Sequence, residues 1–198
     1  MLGRLTERLG VPPTVLSLLL AHASAVERDA DRIGLVGAGD AHDIVRRHSA
    51  DSLLFALVRA PAPGERWIDV GSGAGFPGLV LAACFPDTAF TLLEPQKRRA
   101  GFLELQTADL GLGNALVETR RLDEVEEAIY DVAVARALEE PGRALKSMVR
   151  VVGSSGSALV AVGSGDPPPD DPAVREVHLE DLGDVDSPGR FFMMSRGA

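Results

Sequence analysis

Cysteine is nearly absent from the sequence, where Cys84 is the only one among 198 residues. A single thiol excludes an internal disulfide and a cysteine-rich metal site, and its place in an apolar run predicts a buried thiol. The four histidines lack the spacings of a zinc site, so we expect no metal. No apolar stretch approaches the roughly 18 to 20 residues that span a bilayer, which favours a soluble, cytoplasmic protein with no membrane partner.

Positive charge is also scarce, because 20 Lys and Arg stand against 29 Asp and Glu, giving a formal net charge of −9. Such an excess argues at first sight against a partner made of phosphates. The excess is uneven, since residues 1–60 hold 7 basic and 7 acidic side chains whereas residues 151–198 hold 3 and 8. Basic clusters at 46–47, 97–99 and 120–121 could form a positively charged rim. Acidity therefore does not exclude an RNA partner.

The pattern of predicted elements changes near residue 60. Up to that point the sequence is helical, with a break at 34–39. Beyond it, β-type runs at 67–70, 89–93, 115–117, 132–134 and 157–162 alternate with helical runs at 77–84, 96–110 and 141–150. Such alternation predicts βαβ units with right-handed crossovers and a mostly parallel sheet.

The end of the chain differs in composition. A Pro- and Gly-rich loop at 163–172 precedes two short predicted strands, 174–179 and 190–195, which an acidic loop at 180–188 joins. We expect these strands to close the sheet as an antiparallel hairpin. The predicted organisation is a helical extension over 1–60 and one compact α/β domain over 61–198.

The strongest chemical signal is a glycine-rich turn, Asp69-Val70-Gly71-Ser72-Gly73-Ala74-Gly75-Phe76-Pro77-Gly78, placed between the first strand and the next helix. Glycine allows a ligand to approach the backbone closely, and the helix N-terminus offers unpaired N–H groups. The pattern also satisfies the dinucleotide fingerprint, with Glu94 where a ribose-binding carboxylate is expected. A NAD(P)-dependent oxidoreductase is therefore one alternative. Asp69 favours S-adenosylmethionine instead, because a carboxylate repels a pyrophosphate and attracts an ammonium or sulfonium group.

These motifs resemble those of the GidB/RsmG family. The resemblance is carried by the segments Gly64-Glu65-Arg66-Trp67-Ile68-Asp69 through Gly78, Thr91-Leu92-Leu93-Glu94, Lys97-Arg98-Arg99-Ala100-Gly101-Phe102-Leu103, Arg47-His48-Ser49-Ala50-Asp51-Ser52 and Asp131-Val132-Ala133-Val134-Ala135-Arg136-Ala137. It implies a Rossmann-like class I methyltransferase sheet, mostly parallel, with a C-terminal antiparallel hairpin and an N-terminal helical extension. It also implies methylation of N7 of a guanine in 16S rRNA, presented as RNA or as a small-subunit ribonucleoprotein.

The resemblance further implies particular site residues. Gly71 and Phe76 match cofactor contacts, and the family's Arg-Ala-Glu segment falls on Arg121-Leu122-Asp123 or one residue earlier. Arg136 matches an arginine that lines the cofactor and target site, although a capping or salt-bridged arginine would also fit there. His48 is a second catalytic candidate, with a structural histidine bonded to Asp51 or to a loop carbonyl as the other interpretation. The predicted cofactor residues are Asp69, Gly71, Gly73, Gly75, Phe76, Glu94, Arg121, Leu122, Asp123 and Arg136.

The sequence departs from the family pattern at three places. Gly34-Leu35-Val36 replaces Asn-Leu-Thr, Val162-Gly163 replaces Lys-Gly, and the Pro-rich loop replaces a helix between the fifth and sixth strands. These departures leave open a methyltransferase of the same lineage with another substrate, such as a small molecule. A non-catalytic protein that binds the cofactor or RNA is the alternative from a different class.

Overall fold

The computed structural model describes residues 2–34, 41–136, 140–163, 165–178 and 189–197. The first helices are α1 (Leu2–Arg8), α2 (Val15–Ile33), α3 (Ala41–Ile44) and α4 (Ala50–Val58), with a π-helical turn (Val45–Ser49) between the last two. The rest of the chain contains β1 (Arg66–Val70), α5 (Gly78–Cys84), β2 (Ala89–Leu93), α6 (Lys97–Asp109), β3 (Ala115–Glu118), a 3-10 turn (Leu122–Glu124), β4 (Tyr130–Arg136), α7 (Pro141–Met148), β5 (Val152–Gly163), β6 (Val174–Val177) and β7 (Gly189–Ser195).

The strands form one seven-stranded sheet in the order β3-β2-β1-β4-β5-β7-β6. β1 pairs in parallel with β2 on one side and with β4 on the other, whereas β7 runs antiparallel to both β5 and β6. The predicted fold class and its C-terminal hairpin are therefore confirmed. Successive strands extend in opposite directions from β1 and β4, so the crevice at the carboxyl ends of these two strands is the expected ligand site of an open α/β sheet.

Two hydrophobic clusters cover the two faces of the sheet. Neighbouring residues of β1 point to opposite faces, so Trp67 belongs to one cluster and Ile68 to the other. The cluster around Trp67 also contains Leu19 of α2 and Leu53 of α4, while the opposite cluster contains Met148 of α7. The helices before residue 60 thus share a core with the sheet. The predicted division of the chain at residue 60 stays a prediction.

Some predicted features lie outside the described residues. These are most of the break at 34–39, with Leu35 and Val36, and the acidic loop at 180–188. Among the residues that are described, no helix is long and apolar enough to cross a membrane. Within the same ranges, no three His, Cys, Asp or Glu side chains are grouped as metal ligands would be.

Candidate active site

The turn that follows β1 has a backbone conformation that requires glycine. Gly71, Gly73 and Gly75 have φ angles of +72°, +57° and +96°, in the left-handed region that side chains disfavour. The backbone N–H groups of Gly71 and Ser72 both donate to the carbonyl of Leu93, at 2.8 and 3.1 Å. The turn is therefore folded against the end of β2, at the crevice where the strand order reverses.

The side chain of Asp69 connects the end of β1 to the start of α5. It is fully buried, and its Oδ2 accepts a 2.9 Å hydrogen bond from the N–H of Gly78, the first residue of α5. Burial raises the pKa of Asp69 to about 6, against the opposing effect of the Gly78 hydrogen bond. Its Oδ1 is buried without a hydrogen-bond partner among the described residues. Asp69 does not line the cavity that opens beside the turn, and its contact with a cofactor cation stays a prediction.

Glu94 holds the turn from the neighbouring strand. Its side chain is buried, with Oε2 accepting from the N–H of Gly73 at 3.0 Å and Oε1 accepting from the N–H of Gln96 at 2.8 Å. Each carboxylate oxygen has a second lone pair. Glu94 supports the turn and retains lone pairs, and its hydrogen bond to a ribose hydroxyl stays a prediction.

A cavity of about 720 Å³ opens beside the turn. Such a volume falls in the range of small-molecule sites. Its lining combines the ends of β1 and β2, the segment after β3 and one side of α7, namely Val70, Gly71, Leu93, Pro95, Arg120, Arg121, Leu122, Asp123, Arg143, Ala144, Ser147, Met148 and Arg150. The structure therefore brings Gly71 together with the predicted Arg121-Leu122-Asp123 segment.

The α7 side of this cavity was not predicted. No local motif marks Arg143 or Ser147, because α7 reaches the site only through the position of β4 beside β1. Arg150 was missed for the same reason. Its guanidinium donates to the carbonyls of Leu122 and Val125 at 2.7 and 3.0 Å and so holds the segment after β3 against the cavity.

A second group of predicted residues gathers around Phe76. The guanidinium carbon of Arg136 lies 5.4 Å from the centroid of the Phe76 ring, and the His48 ring lies 5.4 Å from it as well. Arg136 Nη2 is 3.1 Å from His48 Nδ1, and its Nη1 is 4.0 Å from Oδ2 of Asp51. The end of β4, the π-helical turn, α4 and the glycine turn thus meet at one place. The bonded partner of His48 is Arg136 rather than Asp51.

The charges of this group restrict its chemistry. Burial lowers the pKa of His48 to about 4, and the positive charges of Arg136 and Arg47 act in the same direction. Since arginine only donates, Nδ1 of the neutral ring accepts and Nε2 carries the proton. Burial raises the pKa of Asp51, against the opposing charge of Arg136. His48 is therefore a weak base that orients Arg136 and offers one N–H group.

The sheet order and the glycine turn at its reversal point define a class I methyltransferase fold of the S-adenosylmethionine-dependent kind. In the dinucleotide-binding fold the strand order is 3-2-1-4-5-6, whereas here the antiparallel β7 lies between β5 and β6. A solved S-adenosylmethionine-dependent O-methyltransferase from Thermotoga maritima has this fold, with a TM-score of 0.56 and 17% identity over 75% of this chain and 65% of that chain.

The family follows from the sequence comparisons. The family model for rRNA small subunit methyltransferase G, GidB, matches residues 16–166. Ribosomal RNA small subunit methyltransferase G of Clavibacter michiganensis subsp. michiganensis is 37% identical over 157 residues, which is 77% of this chain and 72% of that protein. The counterpart in Clavibacter sepedonicus is 34% identical over 164 residues, or 81% and 76% of the two chains. The chain belongs to the GidB family, which confirms the predicted family and the predicted methyltransferase class over the oxidoreductase.

Proposed function

We propose that the chain transfers a methyl group from S-adenosylmethionine to N7 of a guanine in 16S rRNA. The observation that carries the proposal is the pairing of two sites on either side of the glycine turn. The 720 Å³ cavity lies beside Gly71, and the cluster of Arg136 and His48 lies beside Phe76. One side suits a small cofactor and the other suits a target base.

The residues around the cavity fit the cofactor. Asp69 and Glu94 do not line the cavity themselves but adjoin its lining residues Val70, Leu93 and Pro95, with a carboxylate for a cationic group and lone pairs for ribose hydroxyls. The backbone of Gly71 and Gly73 allows close approach, while Leu122 and Met148 add apolar lining for a purine ring. We assign two further predicted contacts, Arg121 and Asp123, to the rim of the cavity, because their side chains are 75% and 77% exposed.

The chemistry of N7 suits a site without a strong base. S-adenosylmethionine supplies a sulfonium methyl group, and N7 of guanine has a free lone pair and no proton to remove. The neutral, weakly basic His48 is compatible with that requirement. Arg136 can donate to O6 of the guanine, since a donor on N7 itself would block the attack. The chain therefore contributes chiefly positioning and a pocket for a base that has left its stack.

Exposed cations near the crevice support an anionic partner. Lys97 and Arg98 are exposed in the first turn of α6, which holds no acidic residue and where the helix dipole disfavours cations. Helix stability gains nothing from them, and contact with phosphates is a use that supports the proposal. The predicted cluster at 120–121 contributes less, because Arg120 is 2.6 Å from Glu118 and Arg121 is 3.7 Å from Asp123. We propose 16S rRNA, free or in the small subunit, as the partner, and the cytoplasm as the place of the reaction.

Methyl transfer to isolated 16S rRNA and to small subunits tests the proposal. Substrate from a strain that lacks the gene is incubated with the protein and labelled S-adenosylmethionine, and N7-methylguanosine is mapped in the product. We expect one new N7-methylguanosine. Binding of S-adenosylhomocysteine without any rRNA methylation would favour a same-lineage methyltransferase with another substrate, and stabilisation by NADH alone would refute the cofactor.

A further inference from the structure

His22 lies in α2, far from the glycine turn in sequence, yet its side chain contacts that turn. The side chain is fully buried. Its ring packs against Phe76 with centroids 5.1 Å apart and against Phe102 of α6 at 6.1 Å. Its Nδ1 lies 3.3 Å from Oε1 of Gln106, also in α6. One histidine therefore joins α2, α6 and the glycine turn.

The imidazole fills the space beside Gly75. A Cβ added to Gly75 would lie 3.2 Å from His22 Nε2 and 2.9 Å from the Cβ of Leu79. Gly75 has no Cβ, so the ring and Leu79 occupy the space that a side chain at this position would need, and only glycine fits between them. The ring of His22 and the first turn of α5 thus confine Gly75 from two sides.

Apolar packing alone does not account for a histidine at position 22. Burial lowers the pKa of His22 to about 4, and the Gln106 hydrogen bond and the Ala74 carbonyl oppose this only in part, so the ring is neutral near pH 7. Its buried Nε2 makes no hydrogen bond of good geometry among the described residues, and the Ala74 carbonyl of the glycine turn is a polar neighbour of the ring. A poorly bonded buried polar atom lowers stability, a cost that an apolar side chain would avoid. Residues that lower the stability of the fold in this way are typical of functional sites.

We propose that His22 is a positioning residue for cofactor binding, which fixes Gly75 and Phe76 in the conformation of the glycine turn that accepts the cofactor. This inference rests on the proposed use of S-adenosylmethionine. Gln106 sets the orientation of the ring, and Gly75 and Phe76 pack against it. The N-terminal helix α2 therefore contributes to cofactor affinity through the turn.

The test compares His22→Ala and His22→Gln with the wild type. Binding of S-adenosylhomocysteine is measured by titration calorimetry, and methyl transfer to small subunits gives KM for S-adenosylmethionine and kcat. We expect His22→Ala to weaken binding at least tenfold and to raise KM by a similar factor, with kcat at saturating cofactor within twofold of the wild type. His22→Gln keeps a polar side chain of similar reach and is expected to recover at least threefold of the lost affinity. A lower kcat with unchanged KM, unchanged affinity in His22→Ala, or no recovery in His22→Gln would overturn the inference.

Leu5→Ala is the matched control for loss of stability. Leu5 is a buried residue of α1, which packs on α4 rather than on the glycine turn. The control is expected to lower the midpoint of thermal unfolding and to leave the affinity for S-adenosylhomocysteine unchanged. Equal weakening in Leu5→Ala and His22→Ala would show general loosening and refute the role of His22. If the wild type itself does not bind S-adenosylhomocysteine, the proposed function fails and the inference fails with it. Tight binding by both the wild type and His22→Ala refutes the inference alone.

Discussion

The two histidines near Phe76 are neutral because they are buried. Burial lowers the pKa of His22 to about 4 in the native state, against 6.5 for an unperturbed histidine. The native state then binds fewer protons than the unfolded state between these values. His22 therefore contributes stability that is present above pH 6.5 and is lost as the pH falls through 4. Between pH 7 and pH 5 this loss is about 2 kcal/mol.

His22→Gln is expected to lose less stability than the wild type, by about 2 kcal/mol, when the pH is lowered from 7 to 5. Urea unfolding at the two pH values gives the free energies to compare. The pKa of Asp69, raised to about 6, acts in the opposite direction, because protonation of a buried carboxylate below pH 6 favours the native state. The wild type and the variant share Asp69 and His48, so the difference between them isolates His22. Parallel pH dependence in the two proteins would contradict the prediction.

Gly78 provides a second prediction at this scale. A Cβ there would lie 2.6 Å from the Cβ of Asp69 and 2.5 Å from Cδ2 of Leu92. Because α5 must shift to relieve these contacts, Gly78→Ala is expected to destabilise the protein by about 1–3 kcal/mol. Gly101→Ala in α6 is the control, since nothing lies within 4 Å of its Cβ position, and it is expected to stabilise by about 0.5–1 kcal/mol. Thermal unfolding checks both, and equal midpoints would refute the assigned role of Gly78.

The site residues that the sequence revealed lie close to the glycine turn along the chain, whereas those it missed reach the site through helix packing. Asp69 and Glu94 were recognised because they lie next to the glycine turn or at the end of the following strand, and both bond to the turn. His22 and Gln106 are 84 residues apart and carry no motif. Their contact depends on how α2 packs across α6, which no local pattern encodes. Arg136 and His48 came only from the family resemblance, for the same reason.

At the scale of elements, the strands were predictable because buried parallel strands form short apolar runs between glycine and proline signals. The π-helical turn at Val45–Ser49 was not predicted, since apolar spacing there is compatible with a regular helix. Turns of this kind occur frequently at functional sites. Here the turn carries His48 towards Arg136 and Phe76.

The segment after β3 depends on one arginine of another element. Arg150 donates to the carbonyls of Leu122 and Val125. We expect Arg150→Met to loosen this segment and to weaken binding of S-adenosylhomocysteine severalfold, since a hydrogen bond from a charged group contributes about 1.5–3 kcal/mol. Hydrogen exchange of residues 120–125 and calorimetry provide the measurements.

Arg190→Met is the matched control for that experiment. Arg190 of β7 pairs with Glu176 of β6 at the other edge of the sheet. Arg190→Met is expected to leave the hydrogen exchange of residues 120–125 and the affinity for S-adenosylhomocysteine unchanged. If Arg150→Met leaves the exchange of the segment unaltered, Arg150 does not hold it.

At the scale of the whole molecule, some of the negative charge is paired with nearby arginine and lysine side chains among the described residues. Two acidic residues of the last 48 are paired, because Asp171 lies 2.8 Å from Lys146 and Glu176 lies 2.7 Å from Arg190. Lys97 and Arg98, by contrast, are exposed at the start of α6, the helix that follows β2. A net charge of −9 is thus compatible with an RNA partner that is contacted locally.

The shared core predicts that the chain unfolds as one unit. The cluster around Trp67 contains Leu5 of α1, Leu19 of α2 and Leu53 of α4 together with residues of the sheet. Trp67 is the only tryptophan and is fully buried in β1, so its fluorescence reports on the sheet. The circular dichroism of α-helices includes the signal of the N-terminal helices. We expect the two signals to give the same midpoint in urea, and Leu5→Ala to lower both by the same amount. An earlier helical transition, with Trp67 still buried, would instead establish residues 1–60 as a separately folding domain and refute the single unit.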